Sequence, residues 1–339
     1  DAHRKTVVSR ESKFVIHLKN KYANVYRWTP TLVESFIEDL YQDVKFKRYW
    51  EVQRGKLKEF IGQYPLENLN FNLLCKMVYL NHASVFNKSE PMIIGDKNPV
   101  YSIFISELKE VFPDAKFIHI IRDYRDTIVS NRKYFQQKNV AALAQVWSIY
   151  NHLIDIEKKN DPAKFYTIRY EDLVTEPEKK VNEICQFLGI DFRQEMLDFH
   201  IKTNENYGDG KHPVVGHLFP ELLNKVNTGQ IGKWKNELTG YELSLIHYID
   251  KRTGAGYGYK PTENIFEKRY IFRSFTGYWR ATFDIAVVKG YYLLPYFIRN
   301  FIRKISYLLF HYTGFLTVYN GDDYLKEILK KKESLKNEK

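Results

Sequence analysis

The middle of the chain alternates short apolar runs with longer segments of helical periodicity. The apolar runs are PMIIGDKNP (91–99), KFIHIIRD (116–123) and KFYTIRYEDL (164–173). The segments of helical spacing are 103–112, 140–159 and a third that opens at Pro177 and ends at Gly189. Strands that alternate with helices of this length are typical of an α/β domain with a parallel sheet. Because KFIHIIRD has no polar alternation, it predicts a strand buried on both faces.

Two helices are predicted ahead of this alternation. Residues 31–43 and 67–87 have apolar side chains spaced three and four apart, which favours helices. Thr31, directly after Pro30, is the expected N-cap of the first helix. No run of about 18 apolar residues occurs, so the sequence predicts no transmembrane helix. The only cysteines are Cys75 and Cys185, and both are expected to be buried free thiols.

The charge balance indicates an anionic partner. The chain carries 52 Lys and Arg against 41 Asp and Glu, a formal net charge of +11. A nucleotide, an acidic glycan, nucleic acid or a membrane surface would each suit this surplus. No helix-turn-helix, zinc-ligand spacing or RNA-recognition signature occurs, so nucleic-acid binding is not favoured.

The segment KFIHIIRDYRDTIVSNRKYF (116–135) holds the most informative spacing. Arg122 ends a buried strand, and Asp126 is the expected N-cap of the next helix. Ser130 follows eight residues after Arg122, in the first turns of that helix. A guanidinium group and a hydroxyl group beside a helix N-terminus make a cradle for an oxyanion. A surface arginine with an exposed helical serine is the alternative, and spacing alone leaves it open.

This segment resembles the 3'-phosphate-binding motif of the sulfotransferases that use 3'-phosphoadenosine-5'-phosphosulfate (PAPS). Two further segments match that family in order: FYTIRYEDLVTEPEKKVNEICQFLGI (165–190) is similar to its Tyr-Glu-Asp-Leu segment, and NTGQIGKWKNELT (227–239) to its late glycine-bearing loop. The resemblance implies a three-layer, P-loop-NTPase-like parallel sheet flanked by helices. It also implies sulfuryl transfer from PAPS to a hydroxyl or amine of a glycan or glycolipid, with 3',5'-ADP as product and no metal.

The resemblance carries roles to individual residues of this chain. Arg122 and Ser130 are implied to bind the 3'-phosphate, and Tyr170 to approach the adenine or its neighbouring phosphate. The residues implied to close over the nucleotide are Thr228, Gly229, Gln230 and Lys233. The cytosolic branch of the family has Arg-Lys where this chain has Asn227-Thr228, so two positive charges are missing from the loop. Trp234 is expected to pack against the protein rather than to bind the ligand.

Two segments are implied to serve the acceptor. GDKNP (95–99) resembles the Gly-Asp/Glu-Lys-Thr-Pro element of glycan and tyrosylprotein sulfotransferases, which implies that Lys97 points into the acceptor cleft. Cytosolic members have a histidine base where this chain has Pro99. DAHRKTVVSRESKF (1–14) resembles the segment after the first helix in the tyrosylprotein and bacterial glycan branches, and it places Glu11 at the position of the base. A first-turn helix glutamate is the alternative for Glu11.

The same resemblance implies that a first strand and a glycine-rich loop, which grips the 5'-phosphosulfate, belong ahead of Asp1. No Gly-x-x-x-x-Gly-Lys-Ser/Thr or Arg-Ser-Gly-Thr segment occurs within the chain. The sequence is therefore expected to be truncated. A catalytically inactive binding scaffold of this family and a P-loop nucleotide kinase are the alternative functions, and the late GKWKN segment (232–236) argues against the kinase.

A sulfotransferase domain is expected at 1–261 and a basic, aromatic, helical extension at 262–339. Residues 265–311 carry eight Lys or Arg and two acidic residues. The stretch 265–312 is thus typical of a segment that lies on an anionic membrane surface. Packing of its aromatic side chains on the domain is the alternative. Composition suggests a bacterial cytoplasmic protein, peripheral at the inner membrane face, and a Golgi-lumen enzyme with an upstream anchor also fits.

Overall fold

The computed structural model describes residues 1–9, 11–43, 46, 50, 52–89, 91–134, 139–207, 220–260 and 268–302. Contacts divide the chain into two compact units, Asp1–Ile285 and Ala286–Lys339. A division by contacts carries no information on function. The sulfotransferase domain at 1–261 therefore stays a prediction.

In the described ranges, four short strands form the sheets, and each pairs in parallel. The strands β1 (Thr6–Ser9) and β2 (Ile93–Asp96) pair with each other, as do β3 (Phe117–Ile121) and β4 (Phe165–Arg169). Parallel pairing and helical connections confirm the predicted α/β class. Over the described ranges the strands form two two-stranded sheets, so their union in one three-layer sheet stays a prediction.

Helices make up most of the remaining described structure. In chain order they are α1 (Phe14–Tyr22), α2 (Pro30–Tyr41), α3 (Arg54–Gly62), α4 (Phe71–Leu80), α5 (Ile105–Val111), α6 (Tyr124–Tyr134), α7 (Val140–Asn160), α8 (Tyr170–Thr175), α9 (Pro177–Leu188), α10 (Phe199–Tyr207), α11 (Trp234–Glu237), α12 (Gly240–Gly256) and α13 (Lys268–Leu293). None of these helices is long and apolar enough to cross a membrane.

Capping residues fix several helix ends, and one differs from the prediction. The N-cap of α2 is Thr29, whose hydroxyl accepts from the amide of Leu32 at 3.2 Å, so the expected cap at Thr31 is wrong. Pro30 occupies the first helical position, where its missing amide costs nothing. The end of α9 is as predicted, because Gly189 adopts a left-handed φ of 79° directly after it.

The strand β3 is buried on one face only. Ile121 is 2% exposed and His119 is also buried, whereas Ile118 and Ile120 are 38% and 52% exposed. The expectation of burial on both faces is therefore wrong in this structure. An unbroken apolar run does not distinguish a strand covered on both faces from one covered on a single face.

The core behind β3 continues into the following helix. Ile121 and Tyr124 pack with Trp147 of α7 and Ile246 of α12 in one buried cluster. The indole of Trp147 donates to the carbonyl oxygen of Arg122 at 3.2 Å, which fixes the backbone between β3 and α6. Elsewhere in the core, both cysteines are buried and free, as predicted.

The second unit is described only for residues 286–302. Within it Arg299 is buried, and its guanidinium lies 5.8 and 5.7 Å from the ring centroids of Tyr292 and Tyr296. Phe297 and Phe301 are largely exposed. Residues 265–267 and 303–312 of the predicted membrane segment lie outside the described residues.

Candidate active site

The carboxyl end of the β1–β2 pair brings the two predicted acceptor-side residues together. Lys97 directly follows β2, and Glu11 lies two residues after β1. The ammonium group of Lys97 donates to Glu11 Oε1 and forms an ion pair with it. Both side chains reach solvent, with Lys97 64% and Glu11 35% exposed. The pair therefore stands at the sheet edge where α/β proteins bind ligands.

A third ionisable group beside this pair was not singled out from the sequence. Asp96 is the last residue of β2, and its Oδ2 accepts from the hydroxyl of Tyr79 at 2.6 Å. Loss of hydration raises the pKa of Asp96 to about 7, hydrogen bonds from Tyr79 and Tyr101 oppose the rise, and the nearby charge of Glu11 adds to it. A carboxyl group that titrates near neutral pH thus adjoins the Glu11–Lys97 pair.

The raised pKa of Asp96 predicts a stability that falls as pH rises. Below about pH 4 the folded and unfolded states both hold the proton, whereas up to about pH 7 only the folded state does. The stabilisation is therefore lost as pH rises toward the folded pKa. We expect the free energy of unfolding, measured in urea at pH 5.5 and 8.0, to fall by about 1–2 kcal/mol more in the wild type than in Asp96→Asn.

The control for this comparison is Asp114→Asn, which removes an exposed carboxylate paired with Lys76. In this variant the free energy of unfolding should fall between pH 5.5 and 8.0 by as much as in the wild type. An Asp96→Asn protein with an unchanged pH dependence would contradict the assignment of neutral titration to Asp96.

The carboxyl end of the β3–β4 pair holds the predicted nucleotide-side residues. Arg122 directly follows β3, and Tyr170 directly follows β4. The guanidinium carbon of Arg122 lies 5.0 Å from the centroid of the Tyr170 ring. One terminal nitrogen of Arg122 donates to the carbonyl oxygen of Gln230. Its Nε is buried and has no hydrogen-bond partner among the described residues, so this nitrogen retains donor capacity for a ligand.

The loop 227–233 lies against Arg122 through the Gln230 carbonyl. Inside the loop, the amide of Gly229 donates to Asn227 Oδ1 at 3.0 Å and the amide of Ile231 to the Thr228 carbonyl at 2.9 Å. The chain reverses at Gly232, whose φ of 76° favours glycine. Lys233 follows and directly precedes α11. The four predicted loop residues thus form one compact turn, of which Gln230 is the member in contact with Arg122.

Asp126 anchors this loop, a role that the sequence did not reveal. Its two carboxylate oxygens accept from the amides of Gly232 at 2.7 Å and Trp234 at 3.0 Å. The prediction of Asp126 as an N-cap is wrong, because α6 begins at Tyr124. Asp123 holds that end instead, and its Oδ1 accepts from the amide of Arg125 at 2.9 Å.

Trp234 packs as expected. The guanidinium carbon of Arg125 lies 4.3 Å from the centroid of its ring, and Arg125 is in turn paired with Asp123 at 2.6 Å. This stack joins the loop to the first turn of α6. Together with the Asp126 contacts, it holds the loop over the helix N-terminus, where amide donors and the helix dipole favour an anion.

Ser130 is the predicted residue that the structure does not bring into contact with the others. It is exposed on α6, seven residues into the helix. Its hydroxyl makes no hydrogen bond to any described residue. A role in binding phosphate therefore stays a prediction for Ser130.

Comparison with known protein families identifies the family to which the chain belongs. Residues 10–194, more than half of the chain, match the sulfotransferase family. The chain belongs to the sulfotransferase family. The match covers three of the four strand ends and the acidic residue that follows β1.

Individual sulfotransferases are similar over shorter regions. The omega-hydroxy-beta-dihydromenaquinone-9 sulfotransferase Stf3 of Mycobacterium tuberculosis is 35% identical over 119 residues, 31% of this chain and 30% of that protein. The protein-tyrosine sulfotransferase of Drosophila melanogaster is 26% identical over 152 residues, 43% of this chain and 30% of that protein. The matched region thus spans about a third of each of these two relatives.

Two solved sulfotransferase domains also align with this chain. One comes from the curacin biosynthetic pathway, with 20% identity, a TM-score of 0.48 and coverage of 77% of this chain and 91% of that one. The other comes from the Synechococcus PCC 7002 olefin synthase, with 17% identity, a TM-score of 0.49 and coverage of 76% and 94%.

Proposed function

We propose that this chain transfers a sulfuryl group from PAPS to a hydroxyl or amine of a glycan or glycolipid acceptor. The observation that carries the proposal is the chemistry at the strand ends. An exposed carboxylate with a lysine follows one parallel pair, and an arginine stacked on a tyrosine follows the other. Family membership supports sulfuryl transfer in general. The name of the mycobacterial relative, an omega-hydroxy-beta-dihydromenaquinone-9 sulfotransferase, supports a hydroxyl as the attacking group.

The nucleotide-side residues fit a 3'-phosphate. Arg122 has a buried Nε without a partner, and charge-assisted hydrogen bonds from guanidinium to phosphate are strong. Tyr170 offers an aromatic ring beside it for the adenine. The Gln230 carbonyl oxygen, in the loop 227–233, accepts from a terminal nitrogen of the same guanidinium group. Bound PAPS would supply the sulfuryl group and leave as 3',5'-ADP.

The acceptor-side residues have two roles in this proposal. Glu11 takes the proton from the acceptor hydroxyl as that oxygen attacks. Lys97 holds a positive charge beside Glu11, where negative charge on the transferred group develops. Both follow strands of one parallel pair, which places them at the same sheet edge.

A nucleotide titration tests the assignment. We expect 3',5'-ADP to bind at least about tenfold more tightly than 5'-AMP, because one charge-assisted phosphate contact is worth about 1.5–3 kcal/mol. The measurement is isothermal titration calorimetry at one fixed salt concentration. The control ligand is 2',5'-ADP, which carries the same charges, so the general basicity of the chain acts on both equally.

Two results would overturn the proposal. Equal affinity for 3',5'-ADP and 5'-AMP would mean that no 3'-phosphate site exists. Preference for ATP over 3',5'-ADP would favour the nucleotide-kinase alternative. A protein that prefers 3',5'-ADP but transfers no sulfuryl group would be the binding scaffold, and the turnover of the wild type, measured beside the Glu11 variants below, separates that case.

A further inference from the structure

The helix α13 has one face that packs on the first unit. Its buried residues within that unit are Tyr270, Gly277, Ala281 and Asp284. A Cβ at Gly277 would lie 2.7 Å from Cβ of Ala141, so only glycine allows this approach to α7. Tyr270 joins Ala141 and Leu245 in a buried cluster. The helix is therefore fixed by its small residues and one tyrosine.

The opposite face of α13 is apolar and exposed. Its large side chains, with their exposed fractions, are Ile271 (50%), Phe272 (68%), Phe275 (58%), Tyr278 (47%), Trp279 (58%) and Phe283 (64%). At 100° per residue these positions cover an arc of about 140° centred opposite the buried face. A contiguous exposed patch of this kind indicates a binding surface. Packing on the domain, the alternative for the aromatic side chains, is seen for Tyr270 but not for the exposed side chains of this face.

Charges beside this face indicate what binds there. Arg269, Arg273 and Arg280 lie along one flank of the arc, at spacings of four and seven residues. Lys268 adds a fourth cation, and Asp284 is the one acidic residue of α13 within the first unit. Asp284 is paired with Arg280 at 3.0 Å. With Arg280 neutralised by Asp284 and Arg269 stacked on Tyr241 at 4.5 Å, the flank keeps a net positive charge, and an anionic surface is complementary to it.

The breadth and composition of the face favour a bilayer over a second protein helix. A helix-to-helix seam uses a narrow stripe, whereas an arc of about 140° suits a planar interface. Tryptophan and tyrosine carry a polar edge on an apolar ring, which suits the depth of the lipid headgroups. Arginine side chains beside them reach phosphate groups at the same level.

We propose that the outer face of α13 binds an anionic lipid bilayer, with its aromatic rings at headgroup depth and the arginine flank on lipid phosphate. This binding is independent of sulfuryl transfer. If the proposed function also holds, the bilayer contact keeps the protein at the surface where lipid-attached acceptors lie.

Vesicle flotation with the full chain tests the proposal. We expect it to bind vesicles of mixed phosphatidylcholine and phosphatidylglycerol, and not vesicles of phosphatidylcholine alone. The double variant Phe275→Ser, Trp279→Ser should bind at least about tenfold more weakly, because it lacks two apolar side chains whose transfer from water into the bilayer favours binding. Arg273→Glu should weaken binding and reduce its dependence on salt.

The matched control is Tyr26→Ser, because Tyr26 is 95% exposed but lies outside α13. It should float as the wild type does. Unchanged thermal melting and unchanged affinity for 3',5'-ADP would show that the double variant is folded. A failed nucleotide titration would reject the proposed function while leaving the flotation result intact.

Three results would overturn the lipid proposal. The first is no flotation with anionic vesicles, and the second is equal flotation of the wild type and the double variant. The third is a dimer in sedimentation velocity that the double variant dissociates, without vesicle binding by the wild type. That last result would assign the face to a second copy of the chain.

Discussion

Replacement of Glu11 by glutamine is expected to lower the turnover of sulfuryl transfer by about 100-fold or more, because an amide cannot accept the proton of the attacking hydroxyl. The values of kcat and kcat/KM should fall together, since proton transfer stabilises the transition state rather than the bound substrate. Affinity for 3',5'-ADP should be unchanged, because Arg122 follows a different strand pair. The assay is transfer from PAPS by the full gene product, with any residues encoded ahead of Asp1.

The control for Glu11→Gln is Glu110→Gln. Glu110 is also an exposed glutamate in an ion pair, with Lys19 at 2.5 Å, and it should tolerate the change without loss of turnover. Glu11→Asp keeps a carboxylate and should recover part of the activity. Full activity in Glu11→Gln would move the base elsewhere, and a wild type that binds 3',5'-ADP without any turnover would identify a scaffold.

The sequence predicted the strand ends well because they depend on local signals. The runs around β2, β3 and β4 consist mainly of isoleucine or aromatic residues and are closed by charged residues or proline, so their carboxyl ends are visible without a structure. Lys97, Arg122 and Tyr170 each directly follow such a run. The parallel register of β3 and β4 then places Arg122 beside Tyr170, and the register of β1 and β2 places Lys97 near Glu11.

Residues whose partners are distant in sequence were not predicted. The hydrogen-bond donors to Asp126 lie 106 and 108 residues away in the sequence. No neighbouring residue indicates whether Asp126 caps a helix or binds a distant loop. Asp96 was visible in the GDKNP motif, but the tyrosine that donates to it lies 17 residues earlier on another element. The strand β1 has only four residues, which is too short for periodicity to identify.

The C-terminal extension shows a different limit of sequence reasoning. Composition identified an aromatic and basic segment but left its orientation open between membrane contact and packing. The structure shows a packed face and an exposed face on one helix, because Gly277 and Ala281 pack inward while Phe275 and Trp279 are exposed. This arrangement depends on small residues on one side of the helix and large apolar residues on the other. Neither the aromatic content of the segment nor its net charge reveals it.

Replacement of Arg122 by alanine is expected to remove most of the preference for 3',5'-ADP over 5'-AMP. The lost contact is worth about 1.5–3 kcal/mol, or about 10- to 100-fold in affinity. Arg122→Lys should retain part of it, since an ammonium keeps the charge but not the planar stack on Tyr170. The control is Lys133→Ala, which removes one exposed cation from the adjoining helix α6 and should leave the preference intact.

The affinity for 5'-AMP distinguishes a lost phosphate contact from a displaced loop. Arg122 also donates to the Gln230 carbonyl, so its removal takes one support from the loop. Asp126 still holds the amides of Gly232 and Trp234, and the loop is expected to stay in place. In that case 5'-AMP binds as before and only 3',5'-ADP weakens. If both nucleotides weaken equally in Arg122→Ala, the arginine supports the loop and the 3'-phosphate must bind elsewhere.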